Sequence, residues 1–101
     1  MWICFNDGFV SVVKDKLNID DLVIRSRRKE ILETLFPDRE ITTLTVSDYK
    51  YRTYCSKEEW SKILVDRVSD IEYTNFKDST TDHDLHDLYG DMWMLHYQYQ
   101  R

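Results

Sequence analysis

Residues 49–60 pass from strictly alternating to helical spacing without a linker, and that junction constrains the fold more than any other part of the chain. In Tyr49-Lys50-Tyr51-Arg52-Thr53-Tyr54-Cys55 the odd positions share one face of an extended strand, with Lys50, Arg52 and Tyr54 on the other. The next four residues, Ser56-Lys57-Glu58-Glu59, form a capping box. In such a box the serine side chain takes the third helical amide while the glutamate reaches back to the cap. Trp60, Ile63, Leu64, Val68 and Ile71 then recur with helical periodicity. A strand that feeds straight into an amphipathic helix must lie in a sheet whose apolar face that helix can cover.

The flanking segments supply the remaining strands. Trp2-Ile3-Cys4-Phe5 and Phe9-Val10-Ser11-Val12-Val13 bracket Asn6-Asp7-Gly8 and predict a hairpin, because Asp-Gly tolerates the positive φ of tight hairpin turns. Lys14 to Asp21 reads as a polar loop, and Leu22-Val23-Ile24 resumes the extended pattern. Ile31, Leu32, Leu35 and Phe36 are spaced for a short helix that Pro37 stops, since the residue before a proline avoids the α region. Ile41 to Val46 reads as another strand. A third helix is expected from about Thr81, with Thr81 and Asp84 as its cap pair and Leu85, Leu88, Tyr89, Met92 and His96 as its apolar stripe. Strands joined by short connections imply an antiparallel sheet, so the expectation is an α+β domain over 1–101, with four to five strands covered by about three helices.

Composition narrows the function classes. Seven Tyr, four Phe and three Trp against two Gly and one Pro describe a chain that packs a core rather than a disordered one. Cys4 and Cys55 match no metal spacing and are expected as reduced strand residues. No apolar stretch approaches the roughly 18 residues of a membrane span. No membrane partner is therefore expected, and a cytoplasmic location is the default.

The net charge of −5 is segregated, with five bases against ten acids over 53–101. That asymmetry favours a basic protein partner over nucleic acid.

Three groups of residues are candidate sites. His83, His86 and Asp87 share one side of the third helix and suggest a divalent metal, but the spacing fits no established motif. Asp82 and Asp84 are also where carboxylates stabilise the free amides of a first helical turn. No metal, cofactor or catalytic residue is expected. Arg27, Arg28, Lys50 and Arg52, beside the tyrosines, make an alternative nucleic-acid surface, since basic and aromatic side chains on a sheet hold phosphates and stack bases. Asp82, Asp84, Asp87 and Asp91, with Trp93 and Tyr97, make the favoured protein-binding surface. Aromatic residues are enriched at interfaces, and the tail aromatics also allow a homodimer seam.

Short patches along nearly the whole chain carry a resemblance. They are Asn6-Asp7-Gly8-Phe9-Val10-Ser11-Val12-Val13, Leu35-Phe36-Pro37, Asp48-Tyr49 with Tyr51-Arg52, Tyr73 with Asn75-Phe76-Lys77, and Leu85-His86 with Tyr89 and Trp93. In these the chain resembles small bacterial proteins associated with phages and integrated mobile elements. The resemblance implies an accessory protein acting on host machinery and brings no catalytic residue with it. The expected function is non-catalytic binding of a host protein, as an inhibitor of a host defence complex of the anti-CRISPR kind. The alternatives are a nucleic-acid-binding module and an immunity or antitoxin protein.

Overall fold

A computed structural model describes residues 1–101. Five antiparallel strands, β1 (Trp2–Phe5), β2 (Gly8–Lys14), β3 (Asp21–Ser26), β4 (Thr42–Thr43) and β5 (Tyr51–Ser56), form one sheet in the order β1-β2-β3-β5-β4. Three helices accompany it: α1 (Lys29–Leu35), α2 (Lys57–Ser69) and α3 (His83–Tyr99). The protein is an α+β fold, as the alternation of extended and helical patterns requires.

The register decides which face is apolar. Val10 pairs with Ile3, Val12 with Ile24, and Ile24 with Thr53, so these side chains share one face with Phe5, Leu22, Tyr51 and Cys55. Two helices cover that inner face. α1 contributes Ile31 and Leu32, with Phe36 just beyond its end, and α2 contributes Trp60, all buried in one cluster with Phe5, Val10, Val12, Ile24 and Cys55. Trp60 meets the Phe5 ring edge-on at 6.4 Å and stacks on Phe36 at 6.2 Å, which joins β1, α1 and α2. The capping box holds as read at its serine: Ser56 Oγ accepts from the Glu59 amide at 3.1 Å. The helix therefore starts where the strand ends, and its first turn drops Trp60 onto the sheet.

Several local expectations change. The β1–β2 turn contains no residue at positive φ, so Gly8 is not required by backbone conformation. Packing requires it instead: a Cβ at Gly8 would overlap Cβ of Ile31 and lie 2.6 Å from its Cγ1. Ile41 to Val46 is not a full strand. Only Thr42 and Thr43 pair with β5, after which the Ser47 amide bonds the Leu44 carbonyl and turns the chain, leaving Val46 fully exposed.

Tyr49 also leaves the face assigned to it. It precedes β5 and packs with Arg25 and Arg27 rather than beside Thr53 and Cys55. On α2, Val68 is exposed and Ile71 falls beyond the helix end. Arg67 takes the inner position, resting 4.9 Å from the Phe5 ring centre and gripping both Asp7 oxygens at 2.7 and 3.0 Å.

Both cysteines are free. Cys55 lies in the core, where burial pushes its thiol up to about 11; half-buried Cys4 is raised for the same reason. At pH 8 both thiols are protonated, so iodoacetamide followed by mass spectrometry should label neither appreciably until the chain is unfolded in urea. For Gly8→Ala we expect a loss of about 1–3 kcal/mol, the usual range for overpacking a tight contact, read as a lower urea midpoint at unchanged slope.

Candidate functional site

α3 stands apart from the two helices that cover the sheet. Its cap is Asp82 rather than Thr81: Asp82 Oδ1 accepts from the amides of Asp84 at 2.9 Å and Leu85 at 3.3 Å. A carboxylate is the stronger cap because it also meets the positive end of the helix dipole. The helix is then held at two places. Arg28, at the start of α1, donates to Asp84 at 2.9 Å and lies 4.0 Å from Asp82. One helical turn further, the Tyr89 hydroxyl donates to the Phe5 carbonyl at 2.8 Å in a buried bond, and the Tyr89 ring lies 5.2 Å from Phe76 in the preceding loop.

The rest of the expected stripe is not core. Tyr89 is the one fully buried residue of α3; Leu85 and Met92 are half-buried, and His96 is exposed. Leu88, Trp93, Met94, Leu95, Tyr97 and Tyr99 lie between 46 and 82% exposed. The apolar periodicity was correctly placed on a helix, but that helix lies beside the β1–β2 hairpin, not over the inner face. Between the hairpin turn, α1 and the first turns of α3, a cavity of about 280 Å³ opens, lined in part by Phe9, Ile31, Leu85 and Leu88. Leu85, Leu88, Met92, Leu95 and Tyr99 follow one another at intervals of three and four residues along one side of the helix. This is the spacing of a helix that docks against another apolar surface. On the opposite flank Trp93 and Tyr97 stack at 5.5 Å, with the Lys77 ammonium 4.8 Å from the Trp93 ring centre.

The four acids expected to act together have different duties. Asp82 caps α3, and Asp84 pairs with Arg28. That pairing, a hydrogen bond first and charge second, holds the Asp84 carboxyl below the usual carboxylate range. A lowered pKa fixes the sign of its contribution: it is present above the unfolded pKa of about 3.9 and is lost as pH falls through the lower folded value. Asp87 and Asp91 remain on the solvent side between the two apolar flanks, Asp87 lying 3.4 Å from His83 Nδ1. His83 and Asp87 meet as expected of positions four apart, yet no group of three His, Cys, Asp or Glu converges there or elsewhere in the chain.

Of the basic set, Arg28 is drawn away to α3, and the exposed Lys50 lies 5.5 Å from the Tyr51 ring centre. Arg27 and Arg52 both contact Tyr49, where they meet Arg25, which lies outside that set of four. Arg25 lies within β3 and Arg27 just past its end, so strand pairing places the first and the following bend the second.

No helix is long and apolar enough to cross a membrane. No protein-family model, curated protein or solved structure matches the chain.

Removing the Tyr89 hydroxyl tests how α3 is held. Tyr89→Phe leaves the Phe5 carbonyl without its partner, at a cost of about 1–3 kcal/mol. Hydrogen exchange should then accelerate in residues 83–99 more than in β2 and β3. Equal acceleration throughout would show that α3 and the sheet open as one unit.

Proposed function

We propose that the protein is a non-catalytic binding module that inhibits a host protein complex, with the solvent side of α3 as its contact face. The observation that carries this reading is a 17-residue helix with one fully buried side chain and six large apolar side chains left in water. Single exposed apolar residues are ordinary on protein surfaces, whereas an apolar patch such as the flank of Leu88, Leu95 and Tyr99 is a mark of interaction sites. Asp87 and Asp91 run beside that patch and favour a partner whose apolar groove has a basic rim, through charge complementarity. The resemblance to proteins of phages and mobile elements supplies the setting, in which the target is a host defence complex of the anti-CRISPR kind. An immunity or antitoxin role would present the same face to a toxin instead.

The roles of the α3 side chains separate binding from folding. Trp93→Ala and Leu95→Glu alter exposed positions, so thermal midpoints should stay within a degree or two of the native protein. Inhibition in a plasmid-interference assay should fall by 30-fold or more, the scale of a lost aromatic hot spot of about 2 kcal/mol. Neutralising Asp87 and Asp91 together should weaken inhibition less and reduce its salt sensitivity. Asp82→Asn and Asp84→Asn should act mainly on the stability of α3. If the Trp93 and Leu95 variants inhibited as well as the native chain, α3 would not be the contact face. Light scattering on the same variants identifies a homodimer: a native dimer that Leu95→Glu converts to monomer would assign the stripe to self-association.

A further inference from the structure

On the side of the sheet away from α1 and α2, three guanidinium groups gather without a counter-charge. Trp2, Ser11, Arg25, Arg52 and Thr42 form a transverse row across all five strands, because each pairs with the next in register. Arg25 and Arg52 are thus directly opposed on neighbouring strands, an arrangement in which like charges repel. Arg27 joins them through Tyr49. Its guanidinium carbon lies 4.3 Å from the Tyr49 ring centre and that of Arg25 lies 4.7 Å from it, while Arg52 Nη2 donates to the Tyr49 carbonyl at 3.4 Å. Tyr49 itself is buried, so it fixes the cluster from beneath.

The nearest acid in the loop, Asp48, accepts from the Tyr49 amide at 3.0 Å and the Ser47 hydroxyl at 3.4 Å and forms no ion pair with the cluster. The arginine salt bridges involve Arg28, Arg39 and Arg67, and Arg25, Arg27 and Arg52 have no carboxylate within 4.0 Å. Their hydrogen bonds go to neutral acceptors. Arg25 Nη2 donates to Ser11 Oγ at 2.7 Å, Arg52 Nη2 to Ser47 Oγ at 2.9 Å, and Arg27 Nε to the Asp48 carbonyl at 3.3 Å. Nη1 of Arg25 and of Arg52, and both Nη atoms of Arg27, have no protein acceptor. The Nε atoms of Arg25 and Arg52 are buried with no partner at all. A native fold rarely leaves buried donors and opposed charges unanswered.

We propose that Arg25, Arg27 and Arg52, seated on Tyr49, form a binding site for a phosphate group. A tetrahedral phosphate, whether a diester with one charge and two free oxygens or a monoester with more of both, directs its oxygens to different planar forks, and its negative charge would offset the Arg25–Arg52 repulsion. The site is separate from the α3 face and does not depend on the function proposed for it. The same chemistry accepts a small phosphate compound or a phosphodiester of a single-stranded nucleic acid, for which exposed Trp2, in the same row, would be a stacking surface.

The thermal midpoint of the full chain in low-millimolar sodium phosphate, against sodium chloride of equal ionic strength, tests the site. At that concentration general salting-out by phosphate is small. We expect phosphate to raise the midpoint of the native chain by a few degrees. In Arg52→Gln we expect the increment to vanish, with the midpoint in chloride unchanged or slightly higher because a repulsive charge is gone. Arg27→Gln, at an exposed position, serves as a second variant should Arg52→Gln unfold. Equal midpoints in phosphate and chloride for the native chain, or an increment retained in the variants that fold, would overturn the proposal. Anisotropy of fluorescein-labelled single-stranded DNA and RNA identifies the source. Binding that Arg52→Gln weakens tenfold assigns the phosphate to a strand; a phosphate increment without oligonucleotide binding assigns it to a small compound.

Discussion

The packing of Trp60 between Phe5 and Phe36 is the contact on which the rest of the molecule depends. It brings together the first strand, the end of the first helix and the start of the second, segments widely separated in sequence. Side chains of this size contribute about 3–5 kcal/mol in comparable cores, a large part of a domain's total stability. Its position follows from Ser56, which ends β5 and caps α2 in a single residue and so leaves the indole no freedom to miss the sheet. Around this point α1 and α2 complete the core, and they do so without α3.

A core that closes without its longest helix has a functional corollary. α3 is tied by Tyr89, by Arg28 and by the ring of Phe76, with Leu85 and Met92 half-buried, and its exposed apolar side chains are available to a partner. The Arg28 pair is exposed and adds little to global stability. Its use is positional, since it fixes where the helix leaves the domain. The arginine cluster on the far side of the sheet arises from the same economy: both covering helices lie on the inner face, so on the outer face the long side chains of Arg25 and Arg52 cover the sheet, with Ser11 buried among them.

Features set by neighbours in sequence were legible from the chain, and features set by distant contacts were not. The serine half of the capping box, the Pro37 stop and the hairpin needed only local chemistry and hold in the structure, whereas the Glu59 side chain pairs with Arg39 instead of returning to the cap. Gly8 was also expected at its turn, but the reason for it is Ile31, which no local rule could supply. The apolar repeat of α3 was read as core because periodicity reports that a helix has an apolar side, not what that side will meet. Arg67 broke the α2 stripe and was passed over, although its stem on Phe5 and its grip on Asp7 make it part of that buried side. Among the basic residues, Arg25, Arg27 and Arg52 are each legible as bases near tyrosines, but only strand register shows that Arg25 faces Arg52.

β4 has just two residues, and that brevity reaches beyond the sheet itself. Where it stops, Arg39 donates to the Tyr54 carbonyl of β5 and also pairs with Glu59, so a side chain occupies the place another strand would take. At the other border the outward-facing backbone groups are those of Trp2 and Cys4, because Met1, Ile3 and Phe5 turn theirs toward β2. Backbone groups left open along a sheet margin are templates for aggregation and strand exchange, and natural proteins block them. Here Arg39 blocks the margin beside β4. Strand addition is therefore hindered at that margin, and an exposed apolar surface on the third helix is not accompanied by a second open edge beside β4.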